Sequence, residues 1–466
     1  MRENTPTLFV IFGVTGDLAK QKLLVALFHL FERNMLPLTF RIVGFSRKEL
    51  SPLEFQRYIT EVLDEKKVKK GDLRTKFLKA CTYVQGDFDK SASYGALAEA
   101  QKAIDDEIGQ CTNKLYYLAV PPTLYETISR NLAESGLTSA CDDENGWTRV
   151  LVEKPFGNDL KTAKKLDQLL GRLFREEQIF RIDHYLAKEA MQNIIAFRFS
   201  NAIFEPLWNH EHVEKVEVQF FERETIGSRG AFYDSLGALR DVGQNHMLQM
   251  LALIAMDRPT SFTGSSIQAA RAAALGALKP ITRQGILESL ARGQYEGYRE
   301  EKNVHPDSTK ETYFRLRLEV KSDRWKEVPF FLESGKSLAE EKMEITIFFK
   351  KKECICGARD TCAHQNRLTF RIQPGAGITL SLWTKEPGFG FNLVEKTLSF
   401  LYERDAELEL VDAYERVLFD CFRGDQMLFA STDEVLASWR FIAPIVEGLE
   451  RVPLATYPKG SWGPGK

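Results

Sequence analysis

Near the start of the chain, Thr7-Leu8-Phe9-Val10-Ile11-Phe12 is an unbroken apolar and β-branched run. A strand with that pattern has no polar face to offer water, so it belongs inside a sheet covered on both sides. Gly13-Val14-Thr15-Gly16-Asp17-Leu18-Ala19 follows at once. A helical pattern then runs over 20–31, with Leu23, Leu24, Leu27, Phe28 and Phe31 on one stripe. Strand, glycine turn and helix make the phosphate-binding start of a dinucleotide fold. Gly13 allows the tight turn, and Gly16 lets a pyrophosphate approach backbone N–H groups at the helix N-terminus. Ala19 is small enough for the helix to pack on the strand. The spacing is G-x-x-G-x-x-A, not the commoner G-x-G-x-x-G.

Residues 40–45 read as the second strand. NAD enzymes place an Asp or Glu at the end of this strand for the ribose 2′-OH. Here the end reads Ser46-Arg47-Lys48. Cations in place of a carboxylate fit a 2′-phosphate, hence NADP. Further on, 53–64, 73–77 and 94–108 read as helices, and 82–86, 114–120 and 147–152 as strands. Pro121-Pro122 ends one strand and Glu153-Lys154-Pro155-Phe156-Gly157 another. In open α/β sheets ligands bind at the carboxyl ends of strands, which places Tyr125, Glu153 and Lys154 within reach of one.

The pattern changes around Arg181-Ile182-Asp183-His184-Tyr185-Leu186-Ala187-Lys188-Glu189. Asp183 reads as the N-cap of a helix continued by Ala187-Lys188-Glu189-Ala190-Met191-Gln192. On that helix His184 and Lys188 are four apart and share a face, which makes an anion site. Residues 213–221 alternate as a long strand. A helical run over 233–256 carries Asp241, Asn245 and Gln249 on one face, with His246 beside them. Alternating runs at 312–320, 328–332, 343–350, 367–372 and 378–383 follow, mostly without helices between them, and indicate an antiparallel sheet. Lys336 follows the end of one. Leu401, Tyr402, 413–422 and 432–446 read as helical.

At 466 residues the chain should hold at least two domains. Its 63 basic and 65 acidic residues leave a net charge of −2, which gives no reason to expect a nucleic-acid or membrane partner. No apolar run is long enough to span a bilayer, and no signal-peptide pattern opens the chain. Cys81, Cys111, Cys141 and Cys421 are scattered, as in a reduced, cytoplasmic protein. Cys354, Cys356, Cys362 and His364 lie within eleven residues. Their number and types suit a structural tetrahedral zinc site; the alternative is a set of reduced thiols on a surface loop.

Taken in order, Gly13 to Lys22, Tyr117 to Pro122, Glu153 to Gly157, Arg181 to Glu189, Arg240 to Gln249 and Gly460-Ser461-Trp462-Gly463-Pro464 resemble the glucose-6-phosphate dehydrogenase family over nearly the whole chain. The resemblance implies an α/β Rossmann dinucleotide-binding domain, 1–180, then an α+β domain with a large, mostly antiparallel sheet, 181–466. It implies homodimers or homotetramers formed through that sheet. It implies oxidation of glucose 6-phosphate with NADP. His246 matches the family's general base and Asp183 the carboxylate that orients it. His184, Tyr185 and Lys188 match the residues that grip the 6-phosphate, and Glu222, Asp241 and Lys336 those that hold sugar hydroxyls. Lys22 and Lys154 match lysines between cofactor and substrate. Arg47 matches the arginine that favours NADP and Tyr125 a cofactor contact, beside the turn residues Gly13, Thr15, Gly16, Asp17 and Leu18. Two departures stand out. Ala187 replaces a glycine, and Glu341 stands where a second basic residue is usual. An oxidoreductase of the glucose–fructose type is the other enzyme reading, since it shares the Rossmann domain, open sheet and Glu-Lys-Pro turn. His184, Tyr185 and Lys188 weigh against it. A non-catalytic NADP-binding regulator would lack the base or its partner, and both are present.

Overall fold

The computed structural model of the chain describes residues 5–139, 146–351, 364–402 and 411–465. The chain divides into two units. The first takes Met1–Ala187, Phe262–Gln268 and Val411–Thr432; the second takes Lys188–Ser261, Ala269–Leu410 and Asp433–Lys466.

The first unit is built on β1 (Thr7–Phe12), β2 (Phe40–Ser46), β3 (Cys81–Gln85), β4 (Asn113–Leu118), β5 (Thr148–Glu153) and β6 (Ile179–Ile182). They lie in the order β6-β5-β4-β1-β2-β3, all parallel. As its composition requires, β1 is buried along its whole length at the centre. The order reverses between β1 and β4, so the glycine turn after β1 lies at the crevice where such sheets bind ligands. Phe12 anchors the core, 5.0 Å from the Phe45 ring and 6.1 Å from that of Tyr94. Burying each such ring stabilises the fold by about 1.5–3 kcal/mol. The helix Pro52–Glu65 starts where Ser51 and Glu54 form a reciprocal capping box. Two contributions come from far along the chain. The strand Phe429–Ala430 pairs antiparallel with β6, and the helix Ala413–Arg423 also belongs to this unit.

The second unit holds a nine-stranded sheet. Its strands are β7 (Val213–Phe221), β8 (Leu290–Tyr295), β9 (Tyr313–Glu319), β10 (Pro329–Gly335), β11 (Lys342–Phe349), β12 (Arg367–Gln373), β13 (Gly377–Lys385), β14 (Leu393–Leu401) and, counting Phe429–Ala430 as β15, β16 (Leu454–Tyr457). The order is β14-β13-β12-β11-β7-β10-β9-β8-β16. Neighbours are antiparallel except β7 with β10 and β8 with β16.

Several expectations need correction. Leu401 ends β14 instead of starting a helix, because nine paired positions with β13 override its local preference. The helical run at 233–256 is three segments: Gly230–Leu236, a π-helix Leu239–Met247, and Leu248–Ala255. It breaks at Gly237, where φ is +82° and a Cβ would lie 2.5 Å from a Glu311 carboxylate oxygen. Cys81 and Cys421 are free and buried, but Cys111 is disulfide-bonded. Sequence spacing cannot show which thiols meet, since bridging depends on Cα separation in the fold. Of the proposed zinc ligands, Cys354, Cys356 and Cys362 lie outside the described residues; the His364 ring packs 4.1 Å from that of Trp383. Among the described residues, no helix is long and apolar enough to cross a membrane.

Candidate active site

In the first unit the turn after β1 adopts the shape its glycines allow. Gly13 has φ +80°, and a Cβ there would come within 2.5 Å of the Ala119 carbonyl oxygen. Its N–H donates to Phe45 O at 2.8 Å, and the Gly16 N–H donates to Gly13 O at 2.8 Å. The first helical turn, Ala19–Leu23, is π-helical. Gly16 and Asp17 are exposed at its start, and Leu18 is half-buried. The hydroxyl of Thr15 lies 3.0 Å from that of Ser46, tying the turn to the end of β2. Arg47 follows, exposed, with its guanidinium 5.9 Å from the Phe88 ring centroid. These residues fit a dinucleotide: a glycine turn at a helix start for the pyrophosphate, and an exposed cation where a 2′-OH binder would stand.

The carboxyl ends of β4 and β5 carry a polar cluster. Glu153 accepts a hydrogen bond from the Tyr117 hydroxyl at 2.5 Å. A second phenol, Tyr414, hydrogen-bonds to the same carboxylate. Burial pushes Glu153 up to about 7; the Tyr117 bond and the neighbouring Lys154 ammonium pull it down, and Asp183 pushes it further up. Both phenols are themselves pushed well up, burial first, so they remain donors. Tyr125 is fully buried; its hydroxyl donates to Glu153 O at 3.0 Å and accepts from Glu153 N. It therefore braces the strand end and offers a ligand no surface. The Tyr414 ring stacks on His184 at 6.2 Å with a 13° interplanar angle, and Lys22 Nζ lies 6.0 Å from it. Tyr414 was not singled out from sequence. Its only local signal is Asp412, whose carboxylate caps its helix by accepting from Tyr414 N at 2.8 Å.

Asp183 does not cap a helix. It is 3% exposed, and its carboxylate accepts from Tyr185 N at 3.0 Å inside a turn over 184–187. The helix begins only at Glu189. A short carboxylate that finds an N–H two residues on closes a turn before a helix can start. His184 and Lys188 are consequently not neighbours on one helical face. Ala187, the departure from glycine, is 2% exposed.

In the second unit His246 is 1% exposed on the π-helix Leu239–Met247. Asp241 and Asn245 lie on this π-helical segment and Gln249 on the α-helix that follows it. Asn245 Nδ2 donates to the carbonyls of Asp241 at 3.1 Å and Arg240 at 3.3 Å. Asp241 pairs with Arg229 at 3.2 Å. A residue not foreseen holds the start of this helix: buried Glu311 accepts from Leu239 N at 3.0 Å. Burial raises its pKa, and the Leu239 hydrogen bond opposes this. Gly243 lets the helix settle on the sheet, where a Cβ would lie 2.9 Å from the Phe314 ring. Glu222 follows β7 and Lys336 follows β10, the parallel pair in this part of the sheet, so the two strand ends coincide. Glu222 N donates to Gly335 O at 2.9 Å, and the Lys336 ammonium meets the Glu222 carboxylate at 2.5 Å. Lys188 is half-buried at the helix start.

Residues 10–193 match the profile described as glucose-6-phosphate dehydrogenase, NAD binding domain, and 195–466 match its C-terminal domain. The chain belongs to the glucose-6-phosphate dehydrogenase family. It is 39% identical to glucose-6-phosphate 1-dehydrogenase of Aggregatibacter actinomycetemcomitans, covering 98% of this chain and 93% of that one. A relative from Arabidopsis thaliana, named a cytoplasmic glucose-6-phosphate 1-dehydrogenase, is 37% identical over 98% of this chain and 89% of its own. A solved glucose-6-phosphate dehydrogenase in complex with glucose 6-phosphate superimposes with a TM-score of 0.91 at 33% identity, covering 100% of this chain and 97% of that one. For a glucose-6-phosphate dehydrogenase family member, the glycine turn and the strand-end cluster make the first unit a nicotinamide-dinucleotide domain. Of the residues singled out from sequence, that unit supplies Lys22, Lys154, Asp183, His184 and Tyr185. The second supplies Lys188, Glu222, Asp241, His246 and Lys336.

Proposed function

We propose that the chain oxidises glucose 6-phosphate to 6-phosphoglucono-1,5-lactone with NADP, the first step of the oxidative pentose phosphate pathway. The family match across both units carries this reading. His246 takes the proton of the C1 hydroxyl as hydride leaves C1 for the nicotinamide, so two electrons and one proton pass to the cofactor and one proton to the imidazole. Asp183 orients that imidazole. His184, Tyr185 and Lys188 hold the 6-phosphate; Glu222, Asp241 and Lys336 hold sugar hydroxyls; Lys22 and Lys154 serve cofactor and substrate. NADP is favoured over NAD because β2 ends in exposed Arg47 and Lys48 instead of a carboxylate.

A homodimer or homotetramer is proposed through the second unit's sheet. Supporting it, β14 is an edge strand with Leu398 at 61% and Phe400 at 47% exposure. A cytoplasmic setting is proposed from the relative so named. A steady-state assay with glucose 6-phosphate and each nicotinamide cofactor tests the whole reading. Efficient turnover with NADP is expected; activity on glucose equal to that on glucose 6-phosphate would overturn it.

A further inference from the structure

The stretch Gly460-Ser461-Trp462-Gly463-Pro464 takes no part in the chemistry proposed above. In the second unit it runs beside the bend that carries Lys336, with Ser461 bridged to Leu338. Because β10 ends at Gly335, Lys336 and Ser337 lie beyond the ladder. Backbone bonds hold them from two sides instead. On one side Ser337 N donates to Glu224 O and Leu338 N to Glu222 O, both at 2.9 Å. On the other, Gly460 N donates to Ser337 O and Ala339 N to Ser461 O, both at 2.8 Å. Between them Ser337 is buried with φ +56°, a left-handed conformation that a residue with a side chain keeps only when its surroundings impose it. A chain of hydroxyls then reaches Lys336 itself. Tyr295 N donates to Thr312 Oγ1 at 3.0 Å, which leaves the Thr312 hydroxyl hydrogen for Tyr457 Oη at 2.9 Å. The single hydroxyl hydrogen of Tyr457 goes to Lys336 O at 2.7 Å, which is nearer than Thr312 O at 3.3 Å. Tyr295, Thr312 and Tyr457 are all buried. Burial pushes the Tyr457 pKa well up, so the phenol stays a donor.

We propose that Tyr457 and the segment 458–463 clamp the backbone at Lys336, with Tyr457 a positioning residue that sets where the ammonium meets the sugar hydroxyls. The inference rests on the reading of Lys336 as a sugar-holding residue and gives that residue a support remote in sequence. A lysine stem is flexible, so its ammonium is placed only as well as the backbone it grows from. Tyr457 fixes the Lys336 carbonyl, and Gly460 fixes the carbonyl of the next residue. The Glu222 carboxylate holds the far end of the side chain at 2.5 Å. Gly463 seats the segment against the sheet, where a Cβ would lie 2.7 Å from the Tyr313 ring. A clamp of this kind acts on substrate and transition state alike, so its loss moves KM and not kcat.

Steady-state kinetics on the full-length protein test the clamp, with glucose 6-phosphate as the varied substrate and inorganic phosphate as competitive inhibitor. Tyr457→Phe removes one oxygen and keeps the ring. It raises KM for glucose 6-phosphate by about fivefold with kcat changed less than about twofold, as expected for one lost hydrogen bond. Ki for phosphate stays within about twofold, because Lys336 meets sugar hydroxyls and not the phosphoryl group. Thr312→Val, which breaks the same chain one step earlier, raises KM by about threefold, and Thr312→Ser, which keeps the hydroxyl, recovers most of that loss. In a Lys336→Ala background Tyr457→Phe has no further effect, because it acts only through that lysine. Unchanged KM in Tyr457→Phe and Thr312→Val, with Lys336→Ala raising it, would overturn the clamp and leave the reading of Lys336 standing. So would an equal rise in Ki for phosphate, a fall in kcat as large as the rise in KM, or a full further loss on top of Lys336→Ala. No change in Lys336→Ala itself would end that reading and the clamp together.

Discussion

The two units gather charge at the ends of parallel strands, and they stabilise it differently. In the first, Glu153 ends β5 between two parallel neighbours, and its carboxyl is held by the Tyr117 and Tyr414 hydroxyls. In the second, Glu222 follows β7, whose parallel neighbour β10 brings Lys336 to the same end, 2.5 Å away. Parallel pairing explains why polar groups meet at both places, because it aligns carboxyl ends that antiparallel pairing would separate. The partners then decide what each group can do. Burial, only partly offset by the hydrogen bonds of the two phenols, leaves the Glu153 carboxyl close to half-protonated near neutrality, with its pKa at about 7. An ammonium fixes Glu222 as one half of an ion pair.

If the chemistry lies in the second unit and cofactor choice in the first, single changes should separate them. His246→Ala lowers kcat by about 100- to 10,000-fold and leaves KM within about twofold, since a general base acts in the transition state. Near-normal turnover in steady-state assays would remove the second unit's claim to the chemistry. Lys188→Ala raises KM for glucose 6-phosphate by roughly 10- to 100-fold, as expected when a charge-assisted hydrogen bond is lost; a KM within twofold would take the phosphate away from this residue. Arg47→Ala cuts kcat/KM with NADP about tenfold more than with NAD, the worth of one charge-assisted contact to a 2′-phosphate. Equal losses with both cofactors would make Arg47 structural.

The smallest effect concerns Glu153 and is one of stability. Its folded pKa, about 7, lies above the ordinary value of 4.5. Between those values the folded chain binds more protons than the unfolded chain, so this group's contribution is fully present at low pH and falls as pH rises through 7. Glu153→Gln cannot ionise and should lose that slope. Denaturant midpoints at pH 5 and pH 8 should therefore drop more for the wild type than for the variant. Parallel curves would mean that burial does not keep the carboxyl protonated.

Much of the architecture was legible because its signals are local. The apolar run at Thr7–Phe12 demanded a central strand, and β1 is buried throughout. The alternating runs gave β7 and five later strands, β9 to β13, to within a few residues. The strands β6, β8, β14, β15 and β16 escaped: Arg292 interrupts the apolar pattern of β8, Glu395 and Lys396 that of β14, and β6, β15 and β16 are too short to show a period. The local geometry around the candidate site residues was misread. Asp183 resembled a helix cap, yet its carboxylate closes a turn on Tyr185 N, four residues before helix begins at Glu189. The run over 233–256 resembled one helix, yet it breaks at Gly237 and continues as π-helix over Leu239–Met247.

By itself the sequence determined the strand–turn–helix of the dinucleotide domain, the change to an antiparallel sheet, and a set of candidate side chains. Those follow from short-range periodicity, from φ angles that only glycine takes easily, and from residue type. Tertiary structure alone decided which distant groups meet. Tyr414 reaches Glu153 across some 260 positions of sequence, Lys336 reaches Glu222, Glu311 caps the helix of His246, and Gln373 joins Lys188 to Glu341. Each of these pairs is fixed by strand order and register or by helix docking. Neither leaves a trace in local sequence, because hydrogen-bond partners so far apart are chosen only when the backbone has folded.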